Sequence, residues 1–148
     1  MKESSSLPKL IGLYGFSNSG KSSLIFRIIK ALEKAGFSAA VIKCTDKNIS
    51  SEPAEKDTSG FREAGAKLTS FSSIIETNFV LPAIMPLSQI IEHIRIFVEV
   101  DIILVEGAHD PDIQKVRLGD IAERENTIYT YKGDIDTLFK QVLLLIRR

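Results

Sequence analysis

The sequence lacks several features that would define a specialised protein class. Its 148 residues include a single cysteine, Cys44, which excludes an internal disulfide and favours a reducing, cytosolic setting. Basic and acidic residues balance at 19 each, whereas nucleic-acid-binding proteins usually carry a basic excess. No apolar run approaches the roughly 20 residues that cross a membrane. The composition is therefore typical of a cytoplasmic globular protein that binds neither nucleic acid nor membranes.

The chain also lacks internal repeats and any linker that would divide it. Residues 1–9 are polar, with three serines in a row, and have no apolar core of a signal peptide. We expect residues 1–8 to form a flexible lead-in. The length is typical of one domain, so residues 1–148 are expected to form a single domain.

The most informative segment is residues 15–22, Gly-Phe-Ser-Asn-Ser-Gly-Lys-Ser. It fits the pattern Gly-x-x-x-x-Gly-Lys-Ser/Thr of the P-loop, or Walker A motif. An apolar run at 10–14 precedes it, and apolar residues at helical spacing follow over 23–35, before Gly36. Strand, loop and helix in this order are the context that the motif requires, which makes a Gly/Ser-rich turn that binds nothing the less favoured interpretation.

The chemistry of nucleotide binding explains these residue types. Backbone N–H groups of such a loop can hold a polyanionic triphosphate, and glycine lets the backbone approach the phosphates closely. The free N–H groups and positive dipole end of the following helix point at the same place. Lys21 would reach the β- and γ-phosphates. The Ser22 hydroxyl would bind Mg²⁺, which prefers oxygen ligands.

A second apolar run at 38–42 predicts a βαβ unit with a parallel strand pair. Ligands in such sheets bind beyond the carboxyl ends of the strands, so the loop at 43–47 should open beside the P-loop. Lys43, Thr45 or Asp46 then either contacts nucleotide, Mg²⁺ or a second substrate, or is simply a solvated polar residue. Their position alone does not decide between these interpretations.

The middle of the chain is predicted to be less regular. Residues 48–58 are polar and indicate an irregular, mobile loop. A short helix is expected over 57–64, and β-favouring residues predict strands over 67–73 and 74–81. A helix capped by Ser88 should run through Phe97.

Residues 101–107 are an apolar run that ends in Glu106 and Gly107. In P-loop proteins a second strand carries an acid at its carboxyl end that holds Mg²⁺, and Glu106 has that placement. Asp101 stands at the opposite end, over about 10 Å away at ~3.3 Å per residue. The alternative is that Glu106 merely caps a strand. His109 could face the same cleft, but a solvated loop histidine is the favoured interpretation.

The remaining pattern predicts strands at 115–118 and 127–130 and a final helix over 137–148, capped by Asp134 or Asp136. Alternating strands and helices favour an α/β fold. We therefore predict a P-loop NTPase domain, a three-layer α/β/α arrangement with a mostly parallel sheet.

The combination of motifs resembles the MobB family, GTP-binding accessory proteins of molybdopterin guanine dinucleotide biosynthesis. The resemblance covers most of the chain from Lys9 onward. It consists of the P-loop, Val-Ile-Lys at 41–43, Arg-Glu-Ala-Gly at 62–65, Leu-Val-Glu-Gly at 104–107 and Lys-Val-Arg at 115–117. The resemblance implies a cytoplasmic homodimer that binds GTP and Mg²⁺ and hydrolyses GTP slowly. Its partner would be the molybdopterin guanylyltransferase or a molybdoenzyme.

The resemblance also implies roles for individual residues. Lys21 and Glu106 would be catalytic, and Ser22 and Glu106 would hold the metal. Lys43 and the pair Arg62 and Glu63 become candidates for the functional face. Nucleotide-binding positions would be Gly15, Ser17, Asn18, Ser19, Gly20, Lys21, Ser22, Ser23, Lys43 and Gly107.

The sequence departs from the family pattern at two places. The family commonly has histidines directly after Val-Ile-Lys, where this chain has Cys44, Asp46 and Lys47. After Glu-Gly the family usually continues with an aromatic residue and a lysine, where this chain has Ala108 and His109. In addition, no late Asn/Thr-Lys-x-Asp segment is present to recognise guanine, so the choice of GTP over ATP rests on family analogy. Two alternatives stay open: a small-molecule kinase on the same scaffold, and an ATP-dependent adaptor without significant turnover.

Overall fold

A computed structural model describes residues 7–148, and the first six residues lie outside it. Within this range seven strands and four helices follow one another. In chain order they are β1 (Lys9–Gly15), α1 (Lys21–Lys34), β2 (Ala39–Lys43), α2 (Asp57–Glu63), β3 (Thr69–Ser72), β4 (Thr77–Val80), α3 (Leu87–Phe97), β5 (Ile102–Glu106), β6 (Lys115–Leu118), β7 (Thr127–Tyr131) and α4 (Ile135–Ile146).

The chain groups into two compact units. Unit 1 combines the segment up to Thr45 with residues 91–148, and unit 2 is the inserted segment 46–90. Unit 1 contains the P-loop and the large sheet, whereas unit 2 contains α2 and the β3–β4 hairpin.

The sheet of unit 1 has the strand order β2-β5-β1-β6-β7, and every neighbouring pair is parallel. The central strands β1 and β5 are apolar over nearly their whole length, as expected for strands covered on both faces. Leu13 is in register with Glu106, and so is Lys43 on the other side of β5. The carboxyl ends of β2, β5 and β1 consequently meet at one edge of the sheet.

Helices α1 and α4 pack on one face of this sheet. Their apolar stripes, with Leu24, Ile28 and Leu32 on α1 and Leu138 and Val142 on α4, join one buried cluster with alternate residues of the strands. Complete burial of such side chains stabilises the fold by about 1.5–3 kcal/mol each. This core holds β1 and α1 on either side of the loop that connects them.

The β5–β6 connection packs closely against β1 on the sheet. A Cβ placed on Gly12 would lie 2.7 Å from Ala108 Cβ and 3.2 Å from Lys115 Cγ. Real Cβ atoms do not approach so closely, so glycine at position 12 lets this connection lie directly against β1. Ala108 and Ile113 of the connection are both buried.

Unit 2 has a small antiparallel hairpin, in which Thr69 is in register with Val80 and Phe71 with Asn78. The buried residues described in unit 2 are both polar, Ser59 and Thr69. The Ser59 hydroxyl reaches the carbonyl oxygens of Ala54 and Lys56 at 2.6 Å. Its large apolar side chains, by contrast, are mostly exposed: Ile49, Phe61, Leu68, Phe71, Ile74, Ile75, Phe79, Leu81 and Ile84.

The structure confirms the predicted α/β fold with a parallel sheet and corrects several element boundaries. Ile74 and Ile75, predicted to begin a strand, lie in the turn between β3 and β4. Ser88 is not the cap of α3, because the helix already begins at Leu87. Between the two candidate caps of α4 the structure selects Asp134. Among residues 7–148 no helix has the length and apolar character needed to cross a membrane.

Candidate phosphate-binding site

The P-loop forms a tight turn between β1 and α1. Asn18 and Gly20 both have left-handed backbone conformations, with φ of 62° and 89°, and Ser19 N–H donates to the Phe16 carbonyl at 3.1 Å. A Cβ on Gly15 would lie 2.7 Å from Ser19 Oγ and 2.8 Å from the Leu118 carbonyl oxygen. The loop can therefore close only because position 15 has no side chain.

Helix α1 begins at Lys21, and Gly20 is its N-cap. No side chain forms a capping hydrogen bond at this end of the helix, and the N-cap glycine has no side chain of its own. The first N–H groups of a helix have no partner within the helix. An anion at this end would meet these groups together with the positive end of the helix dipole.

The Lys21 side chain folds back over the loop. Its Nζ donates to the carbonyl oxygens of Gly15 at 3.0 Å and Phe16 at 2.8 Å. Both acceptors belong to the loop, so the ammonium group is held against the loop backbone. The next two residues, Ser22 and Ser23, are exposed in the first turn of α1.

Glu106 is the last residue of β5 and is partly exposed at the carboxyl edge of the sheet. The following Gly107 has φ of 80°, and its N–H donates to the Leu13 carbonyl at 2.8 Å. A Cβ on Gly107 would lie 2.6 Å from the Cys44 carbonyl oxygen. Gly107 thus contributes close packing beside the loop, since its N–H group is already used by β1.

Lys43 and Cys44 complete the edge on the other side of β5. Lys43 is exposed at the end of β2, and Cys44 N–H donates to the Glu106 carbonyl at 2.9 Å. Partial burial raises the pKa of the Cys44 thiol above its usual value, so the neutral thiol is the favoured form at neutral pH. The structure therefore gives Cys44 no feature of a reactive thiolate.

A polar network that sequence reasoning missed connects the strand before the P-loop with the segment after Glu106. The Arg124 guanidinium stacks over the Tyr14 ring, with Cζ 4.6 Å from the centroid, and Nη1 donates to the Ala108 carbonyl at 2.7 Å. Arg124 N–H also donates to Tyr14 Oη at 2.9 Å. Tyr14 Oη lies 2.6 Å from Thr127 Oγ1, and this hydroxyl donates to the Arg124 carbonyl. Because Thr127 has one hydroxyl proton, Tyr14 donates to Thr127.

Lys115, at the start of β6, is completely buried. Its Nζ donates to the carbonyl oxygens of Ile113 at 2.7 Å and Glu125 at 2.9 Å. A buried ammonium group is tolerated only when it is hydrogen-bonded, and here two carbonyls serve that role. Lys115 thereby joins the β5–β6 connection to the loop before β7.

The structure brings most of the predicted site residues to one edge of unit 1. These are the loop residues 15–23, Lys43 at the end of β2, and Glu106 with Gly107 at the end of β5. Arg62 and Glu63 lie in unit 2 instead, and Arg62 forms an ion pair with Glu52 at 2.7 Å. The Asp134 carboxylate is engaged with the backbone N–H groups of Asp136 and Thr137 at the start of α4.

The two predicted metal ligands have the chemistry that a hard cation prefers. Ser22 and Glu106 offer a hydroxyl and a carboxylate, the oxygen donors that Mg²⁺ takes. Within residues 7–148 no group of three or more His, Cys, Asp or Glu side chains could hold a metal by itself. A cation held by Ser22 and Glu106 would therefore need further oxygen ligands, such as water or phosphate.

Comparisons with known proteins identify the family of this chain. The family model of MobB, described as molybdopterin guanine dinucleotide synthesis protein B, matches residues 10–138. A protein of Methanocaldococcus jannaschii, named as a molybdopterin-guanine dinucleotide biosynthesis adapter protein, is 31% identical over 99 residues, 67% of this chain. The alignment spans only 40% of that relative's length.

Two solved structures share the fold. Bacillus subtilis MobB superposes with a TM-score of 0.69 at 20% identity, covering 93% of this chain and 97% of the other. A MobB homologue from Bacillus stearothermophilus gives a TM-score of 0.67 at 16% identity, with the same coverage. The fold is thus that of the P-loop α/β proteins, and the match over residues 10–138 shows that the chain belongs to the MobB family.

Proposed function

We propose that this chain is a cytoplasmic GTP-binding accessory protein of molybdopterin guanine dinucleotide biosynthesis that hydrolyses GTP slowly. The observation that carries the proposal is the geometry of the P-loop and the first turn of α1 in unit 1. In it the Lys21 ammonium lies across the loop carbonyls beside a helix N-terminus that no side chain caps. Family membership and the name of the relative from M. jannaschii support the choice of pathway.

In the proposed complex the loop amides and the α1 N-terminus hold the phosphates, and Lys21 turns from the loop carbonyls to the β- and γ-phosphates. Ser22 and Glu106 would hold Mg²⁺, which would neutralise charge on the phosphate oxygens. Catalysis then consists of positioning and charge stabilisation. Without a dedicated general base, turnover is expected to be slow.

Interaction with other proteins completes the proposed role. We propose that the chain forms a homodimer and that its partner is the nucleotidyltransferase that joins GMP to molybdopterin, or an enzyme that receives the cofactor. The apolar side chains exposed in unit 2, with Ile74 and Ile84 fully accessible, support an interaction role. Apolar surface of this kind marks protein interfaces when it forms contiguous patches.

Calorimetry with Mg²⁺ and non-hydrolysable GTP and ATP analogues tests the proposal. We expect a clear preference for the GTP analogue, and Lys21→Ala should weaken its binding by at least 100-fold. Lys34→Ala, at the exposed other end of α1, is the matched control and should bind as the wild type does. Unchanged affinity in Lys21→Ala would refute the site, while preference for the ATP analogue would favour a kinase or an ATP-dependent adaptor.

A further inference from the structure

Arg124 links the two strand ends that carry the proposed nucleotide site. Its guanidinium lies over the Tyr14 ring, with Cζ 4.6 Å from the ring centroid, and Nη1 donates to the Ala108 carbonyl at 2.7 Å. Tyr14 is the residue before Gly15, where the P-loop begins, and Ala108 is the second residue after Glu106. One side chain therefore contacts β1 just before the P-loop and the β5–β6 connection just after Glu106.

This link lies on the sheet face opposite to helix α1. Successive residues of a strand point to opposite faces, and Leu13 belongs to the core cluster that contains residues of α1 and α4. Tyr14, the next residue of β1, therefore points to the other face, where its ring is completely buried and meets Arg124. The hydrogen bonds that Arg124 donates go to Tyr14 and Ala108. Arg124 can thus act on the phosphate site through the residues that it holds.

Further hydrogen bonds fix the Tyr14 end of the link. The Tyr14 hydroxyl accepts from the Arg124 N–H at 2.9 Å and donates to Thr127 Oγ1 at 2.6 Å, and the Thr127 hydroxyl donates to the Arg124 carbonyl. Each hydroxyl both donates and accepts, so the network uses both hydroxyl protons. The backbone of Arg124 is therefore fixed relative to Tyr14, and the guanidinium extends from this fixed point to Ala108.

The Ala108 end fixes the segment that follows β5. The Gly107 N–H donates to the Leu13 carbonyl of β1 at 2.8 Å, and Gly107 then turns the chain with φ of 80°. Arg124 holds the carbonyl of the next residue, Ala108. The backbone that follows Glu106 is consequently tied to β1 twice, by Gly107 directly and by Ala108 through Arg124.

We infer that Arg124 is a positioning residue that holds the Glu106 end of β5 in place beside the P-loop and so supports Mg²⁺-dependent nucleotide binding. The inference rests on the proposed function, in which Ser22 and Glu106 would bind Mg²⁺. This ion demands near-ideal octahedral geometry, so a small displacement of one ligand strand against the other lowers its affinity. Phosphate binding by the loop amides and Lys21 depends on β1 and α1 instead, and should not need Arg124.

Calorimetry of the full chain with a non-hydrolysable GTP analogue, in Mg²⁺ and in EDTA, tests the inference. Arg124→Met keeps an unbranched side chain but removes the charge and the N–H donors. It should lower affinity about tenfold in Mg²⁺, the factor expected for one lost hydrogen bond, and less than about twofold in EDTA. Arg124→Lys should recover most of the loss, because an ammonium group can still donate to Ala108 and lie over Tyr14. No loss, or an equal loss in Mg²⁺ and EDTA, would refute the inference.

Arg117→Met is the matched control. Arg117 also contacts the connection between β6 and β7, with Nη1 3.5 Å from the Ile121 carbonyl oxygen, and its Nε donates to Thr130 Oγ1 at 3.2 Å. These partners lie in that connection and in β7, away from Ala108. Arg117→Met should therefore keep the Mg²⁺-dependent gain in affinity within about twofold of the wild type. A similar loss in both variants would assign the effect to general order in the connection and overturn the inference.

Hydrogen exchange of the nucleotide-free protein separates this inference from the proposed function. In Arg124→Met the Gly107 N–H should exchange about tenfold faster in NMR spectra, while the N–H of Val142 in α4 exchanges as in the wild type, because the change is local. Unchanged exchange at Gly107, or equal acceleration at both positions, would refute the positioning role. If the wild type binds no GTP analogue, the proposed function fails, and the exchange at Gly107 still decides whether Arg124 holds this strand end.

Discussion

The two units of the chain differ in how they use apolar side chains. In unit 1, strand residues such as Leu104 are completely buried, and the P-loop directly follows β1, which belongs to the same core. Unit 2 buries only Ser59 and Thr69 among its described residues and leaves its isoleucines and phenylalanines accessible. Because burial of apolar area is the main favourable term in folding, unit 1 can hold a rigid site. Unit 2 instead leaves much of its apolar surface accessible.

The largest effect is expected from Leu104→Ala in β5, compared with Leu68→Ala in unit 2. Leu104 is 0% exposed and Leu68 is 52% exposed. The first change should lower the free energy of unfolding by about 3 kcal/mol because it leaves a cavity, and the second by less than about 1 kcal/mol. Urea unfolding followed by far-UV circular dichroism measures both, since the chain has no tryptophan. Equal losses of unfolding free energy in the two variants would show that the apolar residues of the two units contribute alike to stability.

A second prediction concerns close packing beside the phosphate loop. Gly107→Ala should lower the free energy of unfolding by about 2 kcal/mol, because the new Cβ would meet the Cys44 carbonyl oxygen and overpacking costs about 1–3 kcal/mol. Gly119→Ala is the control: its φ of 75° is also positive, but nothing lies within 4 Å of a Cβ there. The difference between the two variants isolates the steric cost. If both lose the same stability, backbone conformation alone explains the effect.

The apolar surface of unit 2 gives the third prediction. If it supports the proposed homodimer, Ile74→Asp should weaken dimerisation at least tenfold, because a charge would be buried without a partner. Ile96→Asp changes an exposed isoleucine of α3 in unit 1 and should leave the dimer intact. Size-exclusion chromatography with light scattering over a dilution series measures both. A dimer unaffected by Ile74→Asp would place the contact elsewhere.

The smallest effect is expected at the exposed start of α4. The Thr137 hydroxyl and backbone N–H hold the pKa of the Asp134 carboxyl below its usual value. A lowered folded pKa stabilises the protein above the unfolded pKa of about 4 and loses this effect as pH falls through the folded value. Wild type should therefore melt slightly above Asp134→Asn at pH 7 and at the same temperature in strong acid. A pH-independent difference would contradict this assignment.

Much of unit 1 could be predicted because its signals are local. Each signal lies within a few residues of the element that it predicts. These signals are the apolar runs of β1 and β5, the glycines around Lys21 in the P-loop, and the acid at position 106 that ends β5. The network of Tyr14 and Arg124 could not be predicted, since the two residues are 110 positions apart. Long-range pairing of this kind leaves no periodic pattern in a single sequence.

The errors in unit 2 have a different physical origin. Ile74 and Ile75 favour strands by propensity, yet they occupy a turn in which the Ser73 hydroxyl accepts from the N–H groups of Ile75 and Glu76. The local hydrogen bonds of a serine outweigh a weak preference of the neighbouring side chains. The cavity between the β3–β4 hairpin and the segment at 51–58 could not be predicted either, because its shape depends on both the hairpin register and the path of that segment.

The buried Lys115 gives the chain an internal chemical reporter. An amine-reactive ester acylates only a lysine whose nitrogen can reach and attack the ester carbonyl, and Lys115 Nζ is enclosed with two carbonyl oxygens as partners. Exposed lysines such as Lys67 and Lys132 will acylate in the native protein within the first minutes of treatment. Lys115 becomes available only when unit 1 opens, so the mass of the peptide that carries it records how often the sheet of unit 1 comes apart.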